Sequence, residues 1–107
     1  MNKRRKSRLA RAGWRIGGAA EFLGLSDAEM AMLDVRFALS DAVRVARLKR
    51  RVTQVSLAKK LESSQSRVAK MEAGDPTVSL DLLMRALFVL GLTSAQIGRT
   101  IAATKAA

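Results

Sequence analysis

The residues best suited to chemistry lie on a short predicted helix between positions 65 and 72. Val68 and Met71, three residues apart, define one apolar face of that helix. At about 100° per residue, the polar side chains then flank that face or point away from it; they are Gln65, Ser66, Arg67 and Lys70. Glutamine can pair with adenine N6 and N7, and arginine or lysine with guanine O6 and N7. The pattern predicts contacts with base edges; phosphate contacts or a solvated surface are the alternatives for each side chain.

Composition excludes most other chemistry. The 107 residues suit one small domain, and they include no Cys and no His. Disulfides and most zinc, copper or haem sites are therefore excluded, and the commonest general base and the thiol nucleophile are missing. No apolar run reaches the length of a membrane span, and no secretory h-region follows the basic start. We expect no catalytic residues, no metal and no cofactor, in a cytoplasmic protein that associates with the nucleoid when bound.

The charge pattern predicts a polyanionic partner. The net charge is +11, and residues 1–15 hold seven of the twenty basic residues and no acid. Nine further basic residues lie between Arg44 and Lys70. Such clustering favours nucleic acid. Residues 1–15 are predicted to be a flexible basic arm, which either solubilises the protein or folds onto DNA.

Two short helices with a tight connection must position the polar face. Thr53 is a good N-cap for a helix that opens at Gln54, and Ser64 is an N-cap for the next. Ser64 is more plausible as a cap than as a DNA contact, although one serine can do both. Helices joined by so short a connection must cross steeply, as in a helix-turn-helix.

The remaining chain is predicted to be helical. Ser26 and Glu29 form a capping-box pattern before a long helix that reaches Arg50, with a bend or break expected near Ser40–Asp41. Ser79 and Thr93 should cap two later helices. The predicted division is a flexible basic arm (1–15), an N-terminal helical extension (16–39), a helix-turn-helix domain (40–103) and a C-terminal tail (104–107).

Residues 53–74, TQVSLAKKLESSQSRVAKMEAG, resemble the Xre-type helix-turn-helix family, which includes lambda-type phage repressors and Cro. The resemblance covers roughly residues 40–91. The matching positions are Thr53-Gln54, Leu57-Ala58, Leu61, Ser64, Val68, Met71, Glu72-x-Gly74 and Ser79-Leu80-x-x-Leu83. Within the family, the sequence is most similar to HigA-like antitoxins and small regulators. The resemblance implies an all-α, lambda-repressor-like five-helix domain, here with an additional N-terminal helix and the basic arm.

The resemblance also implies roles for individual residues. Gln54 looks like the residue that binds a phosphate and braces the recognition helix, and Ala58 like the small residue between the two helices. Arg47 and Glu72 occupy positions that form a largely buried ion pair. Glu62 and Arg51 depart from the family, which usually has glycine at the first position and often at the second, both with positive φ.

Sequence and resemblance together predict a sequence-specific regulator of transcription, most simply a repressor. Residues 65–72 would enter the major groove of double-stranded DNA, with phosphate contacts from Arg50 and Arg51 at the end of the long helix. A homodimer on a pseudo-palindromic operator is expected, through either the terminal helix (Ile97, Ile101) or the long helix around Met30–Phe37.

Two other functions stay open. The first is an antitoxin that binds a RelE-like ribonuclease toxin through residues 1–38 and represses its own operon. The second is a charge-driven binder of DNA or RNA without sequence preference.

Overall fold

A computed structural model describes residues 24–104, and this part of the chain is all-α, without strands. The helices are α1 (Asp27–Lys49), α2 (Gln54–Lys60), α3 (Gln65–Ala73), α4 (Leu80–Val89) and α5 (Ser94–Ala102). The predicted fold class is confirmed. The basic arm, residues 16–23 of the predicted N-terminal extension and residues 105–107 lie outside the described residues.

Every helix begins at a residue that the sequence predicts as an N-cap. The side-chain oxygen of each cap accepts a hydrogen bond from a backbone N–H in the first turn, which satisfies a donor that the helix leaves unpaired; the caps are Ser26, Thr53, Ser64, Ser79 and Thr93. At Ser26 the bond is reciprocated, because Glu29 Oε1 accepts from the Ser26 backbone N–H at 2.9 Å. Short polar side chains therefore set all five starting points.

The long helix is continuous, so the predicted break at Ser40–Asp41 is wrong. Ser40 is buried at 2 % exposure inside α1 and caps nothing. Leu39 and Val43, on either side of it, are both fully buried in one core. No Gly or Pro interrupts the segment, and residues on both sides of Ser40 pack in a common core. The boundary predicted between residues 39 and 40 consequently falls inside one helix.

The hydrophobic core brings all five helices together. Its buried apolar residues are Leu39, Val43, Ala46, Leu57, Ala58, Leu61, Val68, Met71, Val78, Leu83, Ala86, Leu87, Leu90 and Ile97. Ile97 is only 2 % exposed, so it belongs to this core and is removed from the candidate dimer surface. Ile101 is partly buried against the same core.

Helix α1 runs alongside α4 in the same direction. Arg36 donates a hydrogen bond from Nη1 to the carbonyl of Val78, just before α4 begins. The guanidinium of Arg50 lies beside Gly91, just after α4 ends. Helix α1 thus contacts both ends of α4 in the same chain order, and the first turns of α1 precede the contact at the N-terminal end of α4.

Helices α1 to α4 end in the same type of turn. In each, a backbone N–H bonds to the carbonyl five residues earlier, across one residue with positive φ, which is the Schellman arrangement; the four bonds are Val52 to Arg47, Ser63 to Ala58, Asp75 to Lys70 and Leu92 to Leu87. Gly74 and Gly91 supply the positive φ in two of them, but Arg51 (56°) and Glu62 (53°) do so in the others. The left-handed conformation predicted for these two departures is confirmed.

We expect Glu62→Gly to stabilise the fold. A side chain in the left-handed region destabilises the folded state by about 1–2 kcal/mol. Glycine removes this strain, but ordering its more flexible backbone costs about 0.5–1 kcal/mol. The net gain in the free energy of unfolding should be about 1 kcal/mol relative to Glu62→Ala, the matched control that removes the same charge. Urea denaturation measures the difference, and equal stability of the two variants would contradict strain at this turn.

Candidate nucleic-acid interface

The predicted reading face of α3 is exposed as a unit. Val68 and Met71 are fully buried, and they anchor the opposite side of the helix in the core. Four polar side chains remain exposed on α3 itself: Gln65, Ser66 and Arg67 in the first turn and Lys70 one turn later. The Ser64 hydroxyl is occupied as the cap and accepts from the Arg67 backbone N–H at 3.1 Å. Exposure meets the geometric requirement for contact with a groove, and the assignment of these residues to DNA stays a prediction.

Gln54 connects the two helices of the motif through its side-chain amide. Its Nε2 donates to Glu72 Oε1 over 3.2 Å, and its Oε1 accepts from Gln65 Nε2 over 2.8 Å. One amide therefore bridges the start of α2 to both the first and the last turn of α3. The bracing role that the family resemblance implies for Gln54 has a direct structural basis.

The ion pair implied between Arg47 and Glu72 is present and largely buried. Arg47 Nε donates to Glu72 Oε2, and Nη2 donates to Oε1 over 2.9 Å, so the contact is bidentate. The two side chains are 12 % and 6 % exposed. Arg47 Nη1 also donates to the Val52 carbonyl over 3.0 Å, in the turn between α1 and α2. The hydrogen bonds to Glu72 raise the pKa of Arg47 above its already high ordinary value, so the guanidinium stays charged.

Ala58 is the small residue at the junction of the two motif helices. Ala58 is 3 % exposed, and its carbonyl accepts the backbone N–H of Ser63 over 2.9 Å in the turn that leads to α3. Ala58 belongs to the same buried core as Val68 and Met71. Its role as the small residue that lets α2 and α3 approach closely stays a prediction.

Arg50, one of the two basic residues at the end of α1, lies in a different groove from the α3 side chains. Arg50 and Arg51 are exposed. Arg50 lines a groove between α1 and α5, with its guanidinium beside Gly91. No α3 residue lines this groove. Phosphate binding by Arg50 and Arg51 stays a prediction.

Arg85 is a basic residue near the reading face that was not among the predicted DNA contacts. It is exposed on α4 and lines the same cleft as Arg67, together with Glu62, Ser63, Ser79 and Asp81. Its position between the buried residues Leu83 and Ala86 was a signal that it points outward. Its place beside Arg67 depends on the tertiary structure, which brings the start of α4 to the same cleft as α3.

One acidic side chain limits where a phosphate can approach. The hydroxyl of Thr77 donates to Asp75 Oδ1 over 2.6 Å, and its backbone N–H donates over 2.8 Å. These bonds, with smaller contributions from the charges of Lys70 and Arg67, lower the pKa of Asp75. Asp75 is thus a carboxylate at neutral pH, and it repels phosphate just beyond the end of α3.

Comparison with protein families decides the class. The model of a helix-turn-helix family, HTH_3, matches residues 43–97, just over half of the chain. The protein belongs to this helix-turn-helix family. The family is Xre/Cro-like, and it is a family of DNA-binding regulators that are not typically enzymes. The match covers the second part of α1, helices α2 to α4 and the first turn of α5. It includes all the polar residues described above for the candidate interface.

The helix-turn-helix protein is accordingly a DNA-binding transcriptional regulator. No match was found among curated proteins or among solved structures. Within residues 24–104, no cluster of acidic residues has the grouping of a metal site, and no helix is long and apolar enough to cross a membrane.

The Arg47–Glu72 pair should show strong energetic coupling. Arg47→Met or Glu72→Leu alone leaves the other charge buried without its partner, at a cost of about 3–5 kcal/mol in the free energy of unfolding. The double variant removes both charges and should recover most of that loss. Urea denaturation of all four proteins measures the coupling. Additive effects of the two substitutions would contradict a coupled buried pair.

Proposed function

We propose that this helix-turn-helix protein is a sequence-specific repressor that inserts residues 65–72 into the major groove of double-stranded DNA. The observation that carries the proposal is the exposed polar face of α3. It is held in orientation by the hydrogen bonds that the Gln54 amide donates to Glu72 and accepts from Gln65, and by two buried apolar anchors, Val68 and Met71. A rigid helix with such a face fits the dimensions of the major groove.

Each side chain of the face has a chemical counterpart on DNA. Gln65, at the N-terminal end of α3, suits adenine, because its amide offers one donor and one acceptor. Arg67 and Lys70 suit guanine O6 and N7, and Ser66 suits any base edge. The amide of Gln54 retains one N–H beyond its bond to Glu72, which suits a phosphate oxygen.

The charge of the chain supports the same proposal. Lys59 and Lys60 are exposed in the last turn of α2, and Arg50 and Arg51 are exposed at the end of α1. Exposed positive side chains outside the reading helix neutralise the DNA backbone and bring the protein to it rapidly. Base contacts then provide the preference for one sequence.

A homodimer is part of the proposal, since one recognition helix contacts too few base pairs for specific binding. Two copies on half-sites about 34 Å apart would read a pseudo-palindromic operator. With Ile97 buried in the core, half-exposed Met32 near the start of α1 supports the long helix as the dimer surface more than the terminal helix.

An antitoxin role would add a protein partner to the same DNA-binding activity. The feature that favours it is the start of α1, where the exposed acids Asp27 and Glu29 and the exposed Met32 are unsuited to DNA. A toxin with a basic, partly apolar surface would be complementary to this segment. A gene for a small ribonuclease next to this one would favour the antitoxin function.

Selection of bound sequences from a random DNA pool tests the proposed function. We expect one enriched pseudo-palindrome with half-site centres about 10 base pairs apart or a multiple of that spacing. Binding to the selected site should weaken by about 10³–10⁵ between 50 and 200 mM salt if six to ten phosphates are neutralised. A pool without enrichment, bound with the same salt dependence, would indicate charge-driven binding and refute the proposal.

Arg67→Ala should relax sequence preference at one base pair of each half-site. Loss of a bidentate contact to guanine reduces discrimination there by about 1–3 kcal/mol and leaves preference at other positions intact. Lys59→Ala, which removes an exposed charge from α2, is the matched control and should weaken binding to all sequences alike. Competition binding with the four base variants at each position makes the comparison. A uniform loss for Arg67→Ala would make Arg67 a phosphate contact.

A further inference from the structure

Four side chains form one continuous series of hydrogen bonds from the core to the reading face. Arg47 donates to Glu72 through two nitrogens, Gln54 Nε2 donates to Glu72 Oε1 over 3.2 Å, and Gln65 Nε2 donates to Gln54 Oε1 over 2.8 Å. Exposure increases along the series, from the nearly buried Glu72 through the half-buried Gln54 to the exposed Gln65. All donors in the series point toward Glu72.

The chemistry of the inner end imposes this direction. A guanidinium can only donate, and the carboxylate that it pairs with can only accept. Gln54 must therefore present its NH₂ group to Glu72, which turns its carbonyl oxygen toward α3. That carbonyl requires a donor, so Gln65 must turn its own NH₂ group inward. Reversal of the Gln65 amide would bring two carbonyl oxygens to the 2.8 Å separation that the hydrogen bond now spans.

We propose that Glu72 is a specificity-determining residue, because it fixes through Gln54 which way the base-reading amide of Gln65 points. The inference rests on the proposed function and deepens it. With its orientation fixed, Gln65 offers the DNA its Oε1 as acceptor and the second hydrogen of Nε2 as donor, in one spatial order. Adenine N6 and N7 provide the complementary donor and acceptor in the major groove. Glu72 acts as a positioning residue and does not touch the base itself.

The role of Glu72 in base specificity can be separated from the role of the Arg47–Glu72 ion pair in stability. A buried ion pair can be replaced by apolar side chains of similar volume with little loss of stability. Such a replacement retains the packing of α3 against α1 but removes the acceptor that orients Gln54. Without that acceptor, the amides of Gln54 and Gln65 can reverse together, and Gln65 can then present either order of donor and acceptor.

The experiment compares base preference in variants that interrupt the series at different points. Arg47→Met/Glu72→Leu removes its inner end, and Gln54→Leu removes its middle while the ion pair stays intact. Gln65→Ala identifies the base pair that Gln65 reads. Circular dichroism and thermal melting establish that each variant is folded. Base preference at that position is measured by competition binding. The competitors are the DNA site selected by the natural chain and its variants with each of the other three bases at the Gln65 position.

We expect both interrupted variants to lose about 5- to 10-fold of the preference for adenine at the Gln65 base pair, within the range of one bidentate contact. Preference at the Arg67 base pair should be unchanged. In a Gln65→Ala background, Arg47→Met/Glu72→Leu should cause no further change at the Gln65 position, because the series then has no amide to orient.

An unchanged preference at the Gln65 base pair in either folded variant, Gln54→Leu or Arg47→Met/Glu72→Leu, overturns the inference and leaves the proposed function standing. Equal losses of preference at the Gln65 and Arg67 base pairs also overturn it, since they indicate a displaced helix rather than a reversed amide. A natural chain without sequence preference refutes the proposed function itself, and the inference with it.

Discussion

The ion pair between Arg47 and Glu72 is the interaction on which the geometry of the motif depends. It joins the last turn of α1 to the last turn of α3, and the same guanidinium holds the turn that leads into α2 through Val52. Apolar packing is non-directional, so the burial of Val68 and Met71 alone would tolerate rotation of α3. A bidentate contact in a largely buried site is directional and costly to break. The ion pair therefore restricts the rotation of α3 that apolar packing alone would allow.

The helices that this pair organises could not be stable alone. Helix α2 has seven residues and α3 has nine, which is shorter than an isolated helix needs in water. Capping by Thr53 and Ser64 satisfies a backbone donor in the first turn of each helix, and one face of each helix packs in the core. The turn between them is closed by a Schellman bond even though Glu62 stands where glycine would fit better. The motif tolerates this local strain because contacts on both sides of the turn determine its conformation.

The uninterrupted α1 gives the molecule two surfaces of different character. Its 23 residues extend about 34 Å at 1.5 Å per residue, beyond the N-terminal end of the helix that it packs against. The reading helix is attached near its basic C-terminal end, and the acids Asp27 and Glu29 lie at its N-terminal end. Phosphate is therefore repelled by the first turn of α1 and attracted by its last turn.

Local patterns in the sequence determined where the helices begin, which faces are buried, and the class of chemistry at the site. Caps such as Ser64 act within four residues, and the spacing of Val68 and Met71 reports a face directly, so both were predictable without the fold. The charge pattern and the absence of Cys and His were likewise sufficient to favour nucleic acid over an enzyme or metal site.

Only the tertiary structure decided what depends on contacts between distant residues. The continuity of α1 at Ser40, the burial of Ile97 in the core, and the position of Arg85 beside the cleft of Arg67 all follow from packing against other helices. The same holds for the direction of the hydrogen bonds from Arg47 to Gln65. The sequence names the residues of that series, but 25 positions separate Arg47 from Glu72 and 18 separate Gln54 from Glu72. No local rule can orient an amide across such distances, because a hydrogen bond depends on atoms that meet only when the chain is folded.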